Sequence, residues 1–192
     1  LQGDADAQFN LALLYENGKG IEPNIVKAVE WYTMSADNGD ADAMFNLALI
    51  YEKGKGVSSN TTKGFELLVN AAEQGNVSSQ LKLGAMYLYG QGVEQDFAKA
   101  YELFAKAAEQ GSDIAHYCLG IIYRDGCGVK QDYVKAAWYF ATASEDGIPH
   151  AQFNLGFFYD EGLGVAQDYS KAVELYTKAA AQGYIKAMYN LG

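Results

Sequence analysis

Leu155-Gly156-Phe157-Phe158-Tyr159-Asp160-Glu161-Gly162-Leu163-Gly164-Val165, continued by Asp168, Lys171-Ala172, Tyr176, Ala179-Ala180 and Gly183, decides the fold. Moved back in steps of 36 residues, the same kinds of residue return four times without insertion or deletion, so one supersecondary unit is written repeatedly. A unit of this length lies below the roughly 40 residues at which a chain usually buries enough apolar surface to stand alone. Neighbours must complete each other's core, and the 192 residues are therefore expected to form a single solenoid domain, residues 1–192. Its units fall at about 4–39, 40–75, 76–111, 112–147 and 148–183, with partial units at both ends.

Within a unit the periodicity predicts an antiparallel pair of helices. Ala7, Leu11, Leu14 and Tyr15 recur at spacings of three and four, the mark of one buried stripe on a first helix, here called helix A. Asp4 is placed as its N-cap, and Gly18 as the left-handed residue that ends it. The turn Gly18-Lys19-Gly20-Ile21 follows, with Ile21 expected in the interior. Asn24 caps helix B, which runs to about Asp37 with Ala28, Trp31, Tyr32, Ser35 and Ala36 inward. Later helices B take Asn60, Asp96, Asp132 and Asp168 as caps. The residue after each helix-A leucine reads Ala12, Ala48, Gly84, Gly120, Gly156, Gly192. Glycine in mid-helix costs about 1 kcal/mol against alanine, which points to another helix backbone passing close by.

The recurring A-x-x-x-L-[AG]-x-x-Y-x-x-G-x-G-[IV], then an Asp or Asn cap, K-A, an aromatic pair and A-A-x-x-G, resembles the Sel-one-like repeat (SLR) family, a relative of the tetratricopeptide repeat. The resemblance implies an all-α, right-handed α-α superhelix with helix A on its inner surface. It also implies a role as a protein-protein interaction scaffold or adaptor, and because the strongly recurring residues are all accounted for by folding, no enzymatic role is expected. A cysteine-rich branch of the family carries a disulfide in each repeat, and a β-lactam-directed hydrolase activity has been proposed for it. That is the enzymatic alternative, and self-association through an open end of the array is the structural one.

Charge narrows the partners. Fourteen Lys and Arg against 24 Asp and Glu give a net charge of −10, which opposes binding to a phosphate backbone and makes nucleic acid an unfavourable partner. No apolar run approaches the about 18 residues of a spanning helix. A protein or peptide partner fits best, and a homo-oligomer stays open. Gly3 is in phase with Gly39 and its successors, and residues 188–192 begin another unit, so the chain reads as a segment of a longer array. Its compartment stays open, with a leaning to a bacterial, envelope or secreted setting.

The residues that tempt a chemical reading divide as follows. The paired loop glycines lack the strand and spacing of a phosphate loop. His116 and His150, the two histidines, do not make a zinc site, and no cofactor or metal is expected. Cys118 and Cys127 are about 10 Å or more apart on a helix and its loop, too far for a disulfide, so both are expected as free thiols. Lys27, Lys63, Lys99, Lys135 and Lys171 open every helix B; four have a glutamate three residues on, Glu30, Glu66, Glu102 and Glu174, which predicts surface ion pairs.

Helix A leaves a second face. Asp42, Asn46, Leu49 and Lys53 lie within about 40° of one another and off the buried stripe, so this face is expected to line an exposed inner groove. In the tetratricopeptide relatives the Asn before the leucine often holds an extended peptide backbone. The resemblance carries that role to Asn10, Asn46, Asn154 and Asn190, but fails at Lys82 and Cys118. Partner-binding candidates are Asn10, Asp42, Asn46, Leu49, Lys53, Lys82, Tyr89, Tyr117, Asp125, Asn154 and Phe157, with Glu52 and Asp160 as further carboxylates. No residue is assigned a catalytic role.

Overall fold

Ten thirteen-residue helices and a final one of seven residues alternate with short loops in the computed structural model, which describes residues 4–191. Leu1, Gln2, Gly3 and Gly192 lie outside the described residues, and with them the phase of Gly3 and the last member of the post-leucine row. In order the helices are α1 (Ala5–Asn17), α2 (Ile25–Asp37), α3 (Ala41–Lys53), α4 (Thr61–Glu73), α5 (Val77–Tyr89), α6 (Phe97–Glu109), α7 (Asp113–Asp125), α8 (Tyr133–Glu145), α9 (Pro149–Glu161), α10 (Tyr169–Ala181) and α11 (Ile185–Leu191). No strand occurs among the described residues. Odd-numbered helices are the A helices and even-numbered ones the B helices. The chain falls into two compact units, residues 1–83 and 84–192, with the division inside α5.

Each hairpin is closed by the same local chemistry. The carboxamide or carboxylate of Asn24, Asn60, Asp96, Asp132 and Asp168 accepts from the backbone N–H three residues on, as an N-cap should. The N–H of each cap residue in turn donates to a helix-A tyrosine carbonyl at 2.8–2.9 Å: Tyr15, Tyr51, Tyr87, Tyr123 and Tyr159. The lysine in the first turn of helix B lies over that tyrosine's ring, with Nζ 4.6–5.2 Å from the centroid in all five hairpins. Such a contact is worth about 0.5–1 kcal/mol at an exposed site. The lysine row is thus structural, though not through the expected pairs: Glu102 and Glu174 bind Lys106 and Lys178 one turn further along instead.

In residues 1–83 the core gathers Ala12, Ala28, Tyr32, Ala43, Leu47, Ile50 and Ala71, with Trp31 half-buried against it. Two expectations fail here. Leu14 is 39% exposed, whereas Ile50, Ile122 and Phe158 at its place in later units are buried, and Ile21 is 37% exposed, whereas its counterparts Val57, Val93, Val129 and Val165 are half-buried. Among the described residues no helix precedes α1 to cover that side.

In residues 84–192 the core runs through Tyr123, Ala136, Phe140, Leu155, Phe158 and Leu175, with Ala172, Tyr176 and Ala179 beside it. The mid-helix glycines of the post-leucine row are explained by side chains more than by backbone. A Cβ on Gly84 would stand 2.7 Å from the Phe104 ring, and one on Gly120 2.6 Å from the Phe140 ring. At Gly156 a backbone atom, the Ala172 carbonyl at 3.3 Å, stands among the nearest neighbours beside the ring of Tyr176. The cost of glycine is offset by letting a fully buried aromatic of helix B lie flat against helix A.

Candidate functional site

The row one residue before each helix-A leucine is expected to offer peptide-holding carboxamides at Asn10, Asn46, Asn154 and Asn190, interrupted by Lys82 and Cys118. The structure gives polar partners within the chain to Asn46, Lys82, Asn154 and Asn190, while Asn10 is exposed. In residues 1–83, Asn46 is half-buried and hydrogen-bonds the Tyr32 hydroxyl, which donates to Glu16 Oε2 at 2.8 Å. Burial first, then the Glu16 carboxylate, holds the Tyr32 phenol well above its ordinary value. One unit later Lys82 takes the place of Asn46, and its ammonium meets Glu52 at 3.0 Å with the lysine side chain only 28% exposed. The buried residue between them is Leu68, which has no hydroxyl to offer.

In residues 84–192 the same three positions read Leu88, Phe104 and Cys118, an apolar version in which burial pushes the Cys118 thiol up to about 12. Then come Arg124, Phe140 and Asn154. Arg124, the single arginine of the chain, donates from Nη1 to Asn154 Oδ1 at 2.8 Å, while Asn154 Nδ2 donates to the His150 carbonyl at 2.7 Å. Last are Asp160, Tyr176 and Asn190, where the Tyr176 hydroxyl again meets both partners. Asn154 is therefore a correction. It is 8% exposed with both ends of its amide occupied, because the guanidinium from the preceding helix A draws it inward. Each seat joins consecutive helices A through the aromatic or leucine of the intervening helix B.

The other candidates are distributed unevenly. In residues 1–83, Asn10, Asp42 and Lys53 are exposed and Leu49 is half-buried. Asp42 accepts from Asn76 Nδ2 at 2.7 Å, so part of its charge is already engaged. In residues 84–192, Tyr89 is 59% exposed and Phe157 38% exposed, while Tyr117 is half-buried and its phenol is pushed up to about 12 by desolvation. Asp125 is exposed but bound to Arg124 through two hydrogen bonds, Nε to Oδ1 at 2.7 Å and Nη2 to Oδ2 at 2.8 Å. That pair neutralises the arginine's charge and aligns its plane. Tyr89 and Tyr117 both lie within electrostatic reach of the guanidinium, so these aromatics and the Arg124–Asp125 pair form one neighbourhood.

Both cysteines are free, Cys118 half-buried and Cys127 in its loop. No group of three His, Cys, Asp or Glu among the described residues is placed to hold a metal. No helix among them is long and apolar enough to cross a membrane. Arg124 and Trp138 were not singled out from the sequence. The signals were available: one is the only arginine, and the other stands where four units have glutamate.

The Sel1 repeat pattern matches residues 5–40, 41–76, 77–112, 114–148 and 149–184. Among solved structures, a Sel1 repeat protein from Oxalobacter formigenes is 35% identical, with a TM-score of 0.92 over 99% of this chain and 76% of its own. The protein c5321, a protective antigen of uropathogenic Escherichia coli strains with an SLR fold, is also 35% identical at a TM-score of 0.92. It is matched over 99% of this chain and 41% of its own, so the chain spans about two fifths of that protein. An immunity protein from Pseudomonas aeruginosa, Pa5087, is 25% identical at a TM-score of 0.56, over 95% of this chain and 67% of its own. Among curated proteins none matches. Repeat period, hairpin chemistry and these likenesses agree, and the chain belongs to the Sel1 repeat family.

Proposed function

We propose that this chain is a non-enzymatic interaction module that binds a peptide or protein segment on the helix-A face. The observation that carries the reading is the exposure of Tyr89 and Phe157 on helices A in residues 84–192, with Tyr89 in electrostatic reach of an Arg124–Asp125 pair already fixed in orientation. Exposed aromatics concentrate binding energy because they bury large area at little entropic cost. The aligned Asp125 carboxylate keeps acceptor capacity for a backbone N–H or a cationic side chain. Within residues 1–83, taken by themselves, helices A offer the exposed polar groups of Asn10, Asp42 and Lys53 and the half-buried Leu49. Asn46 and Lys82 within residues 1–83, and Asn154 within residues 84–192, act through the seats, and Tyr117 is a half-buried aromatic of the latter. Being an immunity protein, the P. aeruginosa relative is consistent with recognition of another polypeptide.

The hydrolase alternative has less support. The disulfides of the cysteine-rich branch have no counterpart in the free Cys118 and Cys127, and a thiol raised to about 12 is almost wholly protonated at neutral pH, hence a poor nucleophile. The test is panning of a phage-displayed random peptide library on the wild-type chain. Enriched peptides are expected to lose at least tenfold in affinity for a Tyr89→Ala/Phe157→Ala double variant whose thermal unfolding is nearly unchanged. Enriched peptides that bind both proteins equally, or a library that yields none, would place recognition elsewhere.

A further inference from the structure

The helix-B row that reads Glu30, Glu66, Glu102 and Glu174 is interrupted once, by Trp138. Four units show that the fold needs no apolar group at this position; Glu102 and Glu174 stand with side chains 64% and 62% exposed. Trp138 is itself 60% exposed, and Val134, one turn earlier on the same face of α8, is 66% exposed. The indole is nevertheless held in place. Tyr139 meets it edge-on with centroids 4.8 Å apart, and His116 from α7 at 6.4 Å, with interplanar angles of 76° and 83°. Tyr139 in turn stacks on Tyr123 at 5.5 Å and 11°. A large aromatic is thus pre-positioned by perpendicular neighbours while most of its surface faces water.

The surroundings are acidic. Glu102 and Glu174 occupy the equivalent places on α6 and α10, each already neutralised by its own lysine. Beside His116 the carboxyls of Asp113 and Asp146 are close enough to hydrogen-bond one another, and the Asp113 carboxyl is raised, first by burial and then by its neighbour. Two carboxylates forced together leave negative charge that His116, the smallest of the influences on Asp113, offsets only in part. Glu145 is exposed alongside, and the nearest lysine on α8, Lys135, is committed to the Tyr123 ring. An electron-rich ring face, with carboxylates only partly balanced beside the His116 that flanks it, is complementary to a planar, weakly hydrated cation.

We propose that the α8 face centred on Trp138 is a second docking surface, one that takes an arginine-bearing segment of a partner protein by stacking a guanidinium on the indole. It lies on helix B, and the reading holds whether or not the helix-A face binds peptide. Asp113 and Asp146 supply the carboxylate side of the contact and Val134 an apolar shoulder for the arginine's methylene stem.

A fluorescein-labelled peptide of alternating arginine and alanine, titrated against the full chain at physiological ionic strength and read by anisotropy, tests this. Trp138→Glu installs the residue that the other four units carry, so the fold should tolerate it, and it also makes the chain more acidic. If the indole is the anchor, binding falls at least tenfold in spite of the added charge. If Trp138→Glu binds as tightly or more tightly, attraction is merely electrostatic and the proposal is overturned. It is equally overturned if Tyr89→Ala/Phe157→Ala abolishes binding while Trp138→Glu keeps it, or if the wild type does not saturate. In a Trp31→Phe background Trp138 is the only indole, and the peptide should change its emission; an unaltered spectrum counts against the contact. Sedimentation of wild type and Trp138→Glu addresses a second copy as the occupant, and a dimer lost in the variant would displace the arginine reading.

Discussion

The seat of Tyr32 and the seat of Phe104 solve one packing problem in opposite ways. At Tyr32 a buried ring carries a hydroxyl, and Glu16 and Asn46 on two successive helices A supply an acceptor and a donor for it. At Phe104 the hydroxyl is gone, and so are both polar partners, replaced by Leu88 and Cys118. Polar groups appear together or not at all, because an unpaired buried hydroxyl costs more than a satisfied one returns. The variation along the helix-A row is therefore matched to the partner on the preceding helix A, as Lys82 is to Glu52 and Asn154 to Arg124, and does not by itself report the chemistry of a binding partner.

The largest test of that comparison is Phe104→Tyr. It should lower unfolding free energy by about 1–3 kcal/mol, since the new hydroxyl would face Leu88 and Cys118. Adding Leu88→Glu and Cys118→Asn should recover most of the loss in chemical denaturation. A triple variant no better than the single one would break the comparison. Lys63→Met probes the feature that does not vary between regions, the lysine over the tyrosine ring, and should cost about 0.5–1 kcal/mol by the same measurement. Smallest is Asp113→Asn. In other hairpins carboxamides pair here, Asn38 with Gln8 and Gln182 with Gln152, each across 30 residues, whereas Asp146 faces Asp113 and His116. Asp113 has a raised carboxyl pKa, so the folded state favours its protonated form: its contribution is full below the ordinary carboxyl range and lost as pH rises through the folded value. The asparagine variant should melt higher at pH 7, by less than about 2 °C, with the advantage fading toward pH 3–4 in calorimetry. A gain that grows on acidification would contradict the assignment.

How far these features were legible in the sequence depends on their range. Hairpins, caps and loop closure were readable because each depends on residues within one unit, such as Asp168 capping Lys171 and Gly162 ending α9. The burial of Asn154 was not, since it is decided by Arg124, 30 residues away and the only residue of its kind in that row. Exposure of Leu14 and Ile21 likewise depends on what covers α1, which periodicity does not report. For the post-leucine glycines, the close approach was readable but its source was not: a ring at Gly84 and Gly120, where a backbone was expected. Trp138 was visible as a break in a glutamate row, and only its exposure gave that break meaning.

Hairpin closure uses residues of one unit, whereas a seat borrows from two, and this sets rules for copying the gene segment. Residues 16, 32 and 46 belong together, as do 52, 68 and 82, so a duplication keeps every trio whole only when its edges fall between such sets, for instance at 47–51. The division between residues 83 and 84 falls in the equivalent gap, after Lys82 and before Leu88. A graft cut at the loops, the obvious place by eye, would leave mismatched halves; one cut in mid-helix A would not.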